Sequence, residues 1–163
     1  MKADSVWILQ DFMASNRILF RIPVYQRNYD WQEDKCNRLL DDIKTIIDTG
    51  KKHFIGTIVY MLANEGGVTI REYTIIDGQQ RLTTLYLILC LICDDKSLLK
   101  NKLRFEARNN SQGILESLSS SSANETVEGK DSSLIYGIEI IKAWFENNKI
   151  NKSDFINKLK QTF

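Results

Sequence analysis

A predicted strand and a predicted helix meet in the sequence Ile76-Asp77-Gly78-Gln79-Gln80-Arg81-Leu82-Thr83-Thr84-Leu85. Val68 to Ile76 has the composition of a strand, and the apolar run after it predicts a helix from about Gln79 to Cys93. The start of such a helix leaves backbone N–H groups unpaired, and the helix dipole makes them attractive to anions. The sequence therefore predicts a phosphate-binding turn at this junction.

The side chains of this turn suit phosphate chemistry. Gly78 permits a tight bend, and the Arg81 guanidinium can bind two phosphate oxygens at once. Amides that can orient a water, a base or a ribose, and hydroxyls near the same helix start, come from Gln79, Gln80, Thr83 and Thr84. An alternative stays open, because Asp77 and Gln80 have the spacing of a capping box that would only start a helix. Asp77 would also repel phosphate unless a metal ion or Arg81 offset its charge.

A second cluster of aromatic and polar residues falls between a strand and a helix, in Ile22-Pro23-Val24-Tyr25-Gln26-Arg27-Asn28-Tyr29-Asp30-Trp31. Aromatic side chains at this place can stack on a base, and Arg27 can reach a phosphate. The alternative is that Tyr29 and Trp31 are core residues and that Arg27 is a solvated ion-pair partner.

The rest of the pattern predicts a mixture of helices and strands. Helices are predicted at about 5–15, from an Asp30–Glu33 capping box to Gly50, near Leu134 and from a Ser153 cap. Strands are predicted at 18–25, 54–62, 68–76 and 103–106, with the middle two forming a hairpin. The composition changes near residue 110, and the Ser-rich residues 117–133 predict a flexible loop. We therefore expect a domain at 1–110 and a partial helical region at 111–163.

Composition and charge limit the classes of protein to which this chain can belong. Because 22 basic residues nearly balance 21 acidic ones, no global field attracts nucleic acid or an anionic membrane, and any polyanion site must be local. Three cysteines are an odd number, and the pair Cys90 and Cys93 lies in an apolar segment, which indicates buried thiols in a reduced, cytoplasmic protein. The apolar run from Leu82 to Cys93 is too short to span a bilayer, so no membrane segment is predicted.

Metal and nuclease chemistry have little support in the sequence. His53 is the only histidine and has no ligand cluster around it, so a nuclease that needs two histidines is excluded within this chain. Asp42, next to Asp41 on a predicted helix, or Asp77 in the turn could hold Mg²⁺ by carboxylate, although such a pair is more often a solvated helix face.

Three blocks together resemble a known family: residues 22–31, Phe54-Ile55-Gly56-Thr57-Ile58-Val59, and residues 76–85. Their order and spacing are similar to those of the family catalogued as domain of unknown function 262, also described as the N-terminal domain of GmrSD-type restriction endonucleases. The resemblance covers roughly residues 5 to 110. Asn28 departs from the pattern, because the family commonly has proline there.

The resemblance implies a compact α+β domain, similar to the ParB and sulfiredoxin group, with a small mixed sheet packed on helices. It implies that Asp77, Gly78, Gln79, Gln80 and Arg81 form a nucleotide-phosphate turn in which Gln and Asp place the attacking water. Tyr25, Gln26 and Arg27 would close over the nucleotide from the other side. The family is associated with NTP-dependent restriction of modified DNA in anti-phage defence, with the nuclease in a separate C-terminal domain or a partner subunit.

The resulting hypothesis is a module that binds a nucleoside triphosphate with Mg²⁺, hydrolyses it and thereby regulates a DNA endonuclease. Three alternatives belong to other classes, and the first is a structural interaction domain whose turn is only a helix cap. A DNA-binding module without enzyme activity would use Arg27, Arg81 and the aromatic residues, and a direct ParB-like nuclease would cut DNA with a metal ion.

Overall fold

A computed structural model describes residues 17–51, 54–63, 69–106, 109–120 and 132–162. Within these ranges the strands are β1 (Ile18–Ile22), β2 (Val59–Leu62), β3 (Arg71–Asp77) and β4 (Leu103–Phe105). The helices are α1 (Glu33–Thr49), α2 (Gln79–Ile92), α3 (Asn109–Ser120), α4 (Ser132–Asn147) and α5 (Lys152–Thr162). The predicted α+β class is confirmed, whereas the helix predicted at 5–15 lies outside the described residues.

The four strands form one mixed sheet in the order β2-β3-β1-β4. β1 runs parallel to both of its neighbours, and β2 pairs with β3 in the antiparallel sense that the predicted hairpin requires. Phe20 and Ile22 on β1 are fully buried because this strand is hydrogen-bonded on both edges and packed on one face by the core. The C-terminal end of β3 therefore reaches α2 from the middle of the sheet, which fixes the position of the turn between them.

All four strands are shorter than predicted, and the differences are largest at β2 and β1. The strand expected to start at residue 54 begins at Val59, because Gly56 has a φ of +108°, outside the range of a strand. The strand expected to reach residue 25 ends at Ile22, since Pro23 has no N–H with which to continue the ladder. Residues 54–58 are consequently free of sheet pairing and form a loop beside the start of α2.

The start of α1 differs from the predicted capping box. Its first residue is Glu33, and the preceding Gln32 makes no side-chain cap bond. Asp30 is engaged elsewhere: its N–H donates to the Gln80 side chain, and its carboxylate pairs with Arg27. The predicted end is confirmed, because Gly50 adopts a φ of +62° and its N–H donates to the carbonyl of Ile46.

The sequence did not predict α3, which occupies part of the expected Ser-rich loop. Ile114, Leu115 and Leu118 are buried on one face of this helix, and apolar burial outweighs the low helix propensity of its serines. The loop prediction was therefore wrong for residues 117–120 and, at the start of α4, for residues 132–133, while residues 121–131 lie outside the described ranges. At α5 the predicted cap is also wrong, since Asn151 rather than Ser153 accepts the N–H of Asp154 at 3.0 Å.

Residues on both sides of position 110 contribute to one buried cluster. The Trp144 indole in α4 donates to the Asp41 carboxylate on α1 at 2.9 Å. Tyr29 packs so closely on α4 that a Cβ at Gly137 would lie 2.8 Å from its ring. The division into 1–110 and 111–163 stays a prediction. Within the described ranges, no helix is long and apolar enough to cross a membrane.

The three cysteines are buried free thiols, in agreement with their predicted role as small apolar residues. Burial raises the pKa of Cys90 to about 12 and that of Cys93 to about 11. The pKa of Cys36 is also raised by burial. These thiols stay protonated near neutral pH, which argues against a redox function for them.

Candidate functional site

The turn between β3 and α2 is built around Gly78. This residue precedes the helix with a φ of +85°, and its carbonyl accepts the first helical bond, from the N–H of Leu82 at 3.0 Å. No side-chain cap bond forms, so the capping-box interpretation of Asp77 and Gln80 is wrong for this geometry. The N–H groups of residues 79–81 have no acceptor in the part of the chain that the structure describes.

Gly78 is required for a second reason besides its backbone conformation. A Cβ at this position would lie 2.7 Å from the carbonyl oxygen of Thr57 and 3.1 Å from Ile58. The close approach that Gly78 allows is therefore to the 54–58 loop of the same chain. The turn and the loop form two adjoining walls of one cleft.

Arg81 lies against this loop with its charge exposed to the cleft. Its Nη1 donates to the carbonyl oxygen of Thr57 at 2.8 Å, and its Cζ lies 5.9 Å from the centre of the Trp31 ring. The guanidinium rests on the backbone of Gly56, where a Cβ would come within 2.2 Å of Cζ. Among the described residues, no carboxylate pairs with Arg81 and its Nε has no hydrogen-bond partner. The guanidinium is held in place while its charge is not neutralised.

The cleft has a volume of about 650 Å³ and is lined by basic, acidic and apolar side chains. Four basic side chains line it: Arg27, Lys35, Arg38 and Arg81. The carboxylates that line it are Asp42 and Asp77. Its apolar surface comes from Trp31, Leu39, Phe54 and Ile55. An excess of cations beside an aromatic and aliphatic surface suits a ligand with an anionic part and a planar part.

The structure brings most of the predicted turn to this cleft. Asp77, Gly78, Gln79 and Arg81 all line it, and Arg27 joins them from the loop before α1. Gln79 is only 8% exposed, and its side-chain amide has no partner among the residues described. A buried amide with unused donors and acceptors at the wall of a cleft is available to a ligand.

Gln80 touches the same cleft, but both ends of its side chain are engaged. Its Nε2 donates to the carbonyl of Asn28, and its Oε1 accepts the N–H of Asp30, each at 2.8 Å. Between these two residues, the Tyr29 hydroxyl lies 2.8 Å from Thr84 Oγ1 and 3.4 Å from Cys36 Sγ. Burial raises the pKa of Tyr29, so this hydroxyl stays protonated. These bonds fasten residues 28–30, which we call the strap, to α2.

Four of the predicted residues lie away from the cleft. Tyr25 is 71% exposed and is not part of the lining, and Gln26 donates through Nε2 to the carbonyl of Ile76 at 2.9 Å. Thr83 and Thr84 are buried, with their hydroxyls donating to the carbonyls four residues earlier in the helix. Lys35 and Arg38 were missed by the sequence analysis, although their spacing with Leu39 and Asp42 places all four on one helical face.

The two aspartates are candidates for holding Mg²⁺. Asp42 and Asp77 line the same cleft from α1 and from the turn, and Mg²⁺ commonly takes one or two carboxylates together with phosphate oxygens and waters. No group of three or more His, Cys, Asp or Glu that could hold a metal by itself occurs among the described residues. Binding of Mg²⁺ by Asp42 or Asp77 stays a prediction. His53 lies outside the described residues.

A small mixed sheet, a strand–turn–helix junction and a cleft lined by four basic and two acidic side chains define this chain as a compact α+β module. The family model of the GmrSD restriction endonuclease, N-terminal domain, matches residues 9–163, and the chain belongs to this family. It is thus a module of a restriction protein, and the family implies DNA and a nuclease domain in the full-length protein. No curated protein matches the chain.

Proposed function

We propose that this module binds a nucleoside triphosphate together with Mg²⁺ in the cleft, and that hydrolysis of the nucleotide controls a DNA-cutting domain of the restriction protein. The main observation behind this proposal concerns Arg81. Its guanidinium is fixed at the start of α2 and has no carboxylate partner among the described residues. The unpaired N–H groups of residues 79–81 point to the same conclusion, because they add donors at the positive end of the helix dipole.

The shape of the cleft supports a nucleotide as the ligand. Its volume of about 650 Å³ lies within the range of about 300–1,000 Å³ that is usual for small-molecule sites. We place the base against the aromatic surface of Trp31 and Phe54, and the phosphates against Arg81 and the turn. Asp42 and Asp77 would hold Mg²⁺, which neutralises charge on the phosphate oxygens when it is bound.

Hydrolysis needs a positioned water and a stabilised phosphoryl group. In the proposed reaction, water attacks the γ-phosphorus and the bond from that atom to the bridging oxygen breaks, which gives a nucleoside diphosphate and inorganic phosphate. Gln79 and Asp77 are assigned to orient the water, since both line the cleft and the Gln79 amide is unused. Arg81 and the N–H groups of the turn stabilise the charge on the transferred group. Gln80 has no role in this step because its amide is already engaged with the strap.

Isothermal titration of the four NTPs with Mg²⁺ into wild type, Arg81→Ala and Arg81→Lys tests the proposal. Loss of a charged hydrogen-bond donor costs about 1.5–3 kcal/mol, so we expect Arg81→Ala to weaken NTP binding by roughly 10- to 100-fold. Arg81→Lys keeps the charge but loses the fork of donors, and we expect an intermediate affinity. Arg104→Ala is the matched control, because this exposed arginine on β4 is not part of the cleft lining.

Two outcomes would refute the proposal: no NTP binding by the wild type, or equal binding by Arg81→Ala. The same samples distinguish the DNA-binding alternative, which predicts binding of duplex DNA that weakens steeply with salt concentration. Metal-dependent nicking of a plasmid by this chain alone would favour the direct nuclease.

A further inference from the structure

The helix α1 forms one wall of the cleft. This wall carries two cations that lie outside the turn proposed to bind phosphate. Lys35 and Arg38 are three positions apart in the sequence, and both are exposed and line the cleft together with Leu39 and Asp42. This spacing of i, i+3, i+4 and i+7 forms one stripe along the helix. Leu39 is also a core residue, and the other core residues of α1 are Cys36, Leu40, Ile43 and Ile46.

These two cations have no ion-pair partner among the described residues, and the same holds for Arg81 across the cleft. Arg27, by contrast, pairs with Asp30 at 3.2 Å. Four cations and two carboxylates line the cleft, which leaves an excess of positive charge that a ligand with several negative charges would offset. A single phosphate held by Arg81 and the turn would leave the charges on α1 unmatched.

We infer that Lys35 and Arg38 form a second anionic subsite, and that the ligand is a polyphosphate whose chain runs from the turn at Arg81 to the α1 wall. This inference rests on the proposed function and assigns to Lys35 and Arg38 the discrimination of nucleoside triphosphates, and more weakly diphosphates, from monophosphates. The Arg38 guanidinium suits two oxygens of one phosphate, and Lys35 adds a point charge beside it. The apolar residues of the cleft remain available for the base.

The test compares ligands of increasing phosphate number at constant ionic strength. Titrations with the NTP, NDP and NMP of one base, and with inorganic tripolyphosphate, are made on wild type and on the double variant Lys35→Ala/Arg38→Ala. For the double variant we expect NTP and tripolyphosphate affinity to fall by about 10- to 100-fold, NDP affinity to fall less, and NMP affinity to stay within about twofold. Because both side chains are exposed, the melting temperature should stay close to that of the wild type.

Lys44→Ala is the matched control on the same helix. Lys44 forms an ion pair with Asp48 and is not part of the cleft lining. Its replacement therefore removes one positive charge from α1 at a place outside the proposed subsite. Nucleotide affinities of this variant should match those of the wild type.

The outcomes separate this inference from the proposed function. If the double variant loses equal factors for NTP, NDP and NMP, or loses nothing, the second subsite is refuted while NTP binding by the wild type still supports the proposed function. If the wild type binds tripolyphosphate through Lys35 and Arg38 but no nucleotide, the polyphosphate subsite stands and the proposed function fails. Binding of none of these ligands by the wild type overturns both.

Discussion

The first two turns of α2 have a side that faces the cleft and a side that faces the core, and neighbouring residues belong to different sides. Arg81 on the cleft side keeps an unneutralised charge, whereas Gln80 on the core side has both ends of its amide bonded to the strap. Thr84 lies on the same side as Gln80 because four residues complete slightly more than one helical turn, and it bonds to Tyr29. One run of polar residues thus serves two purposes: one side holds the wall of the cleft in place, and the other is open to a ligand.

The largest expected effect comes from Gly78, where the two sides meet. Gly78→Ala would place a Cβ 2.7 Å from the Thr57 carbonyl oxygen in a left-handed conformation, and we expect a loss of about 3 kcal/mol or more in the free energy of unfolding. Gly50→Ala is the control, since Gly50 also has a positive φ but has nothing within 4 Å of its Cβ position. Urea denaturation should show about 1 kcal/mol for that variant. Similar losses for both variants would show that the turn does not pack on the loop as described.

Gln80→Ala tests the division between the two sides most directly. It leaves the Asn28 carbonyl and the Asp30 N–H without their partner, and we expect a loss of about 2–4 kcal/mol in the free energy of unfolding. Gln80→Glu should also lose stability, because its carboxylate can accept from Asp30 but cannot donate to the Asn28 carbonyl and is buried. Arg81→Ala should instead change stability by less than about 1 kcal/mol while weakening NTP binding. A Gln80→Ala variant of full stability that binds no NTP would contradict the division.

A smaller effect is expected at the hydrogen bond between Thr84 and Tyr29. Thr84→Val keeps the shape of the side chain and removes the hydroxyl, so the Tyr29 hydroxyl retains only the weak contact with Cys36. We expect a loss of about 1 kcal/mol in the free energy of unfolding and no change in NTP affinity. A double-mutant cycle with Tyr29→Phe measures the coupling, and a coupling energy near zero would mean that this bond does not stabilise the strap.

The smallest effect concerns the pH dependence of the core that α2 enters. Cys90 and Cys93 have pKa values raised by burial to about 12 and about 11, from an ordinary value of 9.0. The unfolded chain therefore loses these protons first, and stability that is complete below pH 9 is lost as the pH rises towards the folded values. The expected loss at pH 9 relative to pH 7 is about 0.4 kcal/mol for each thiol. Urea titrations at both pH values measure it, and a pH dependence that persists in Cys90→Ala/Cys93→Ala would assign it to other groups.

Much of the fold was predictable because its elements follow local rules. The sequence predicted the apolar face of α1, its end at Gly50 and the long apolar run of α2. The short β2 was not predictable, since its start depends on the unusual φ of Gly56, and glycine is equally compatible with many conformations. α3 was missed because its serines have low helix propensity and only tertiary burial stabilises it.

The sequence indicated which residues form the candidate turn. It indicated less well which of their side chains face the cleft and which are bonded elsewhere. The sequence identified the turn and Arg81, but it could not distinguish the open amide of Gln79 from the engaged amide of Gln80, which depends on the distant Asn28 and Asp30. Their adjacency in the sequence gives no information about which of them meets the strap. Lys35 and Arg38 have helical periodicity in their favour, yet exposed lysines and arginines on helices are too common for that signal to be distinctive.

The packing of Tyr29 on Gly137 has a practical consequence for dissecting the protein. Because α4 supplies the surface on which the ring rests, a fragment trimmed before residue 132 would expose the buried face of the strap to water. Trimming of this kind would therefore impair ligand binding without removing a single cleft-lining residue. Conversely, any side chain at position 137 would displace Tyr29 and with it the strap. A substitution at this position is therefore expected to alter the cleft, although Gly137 does not line it.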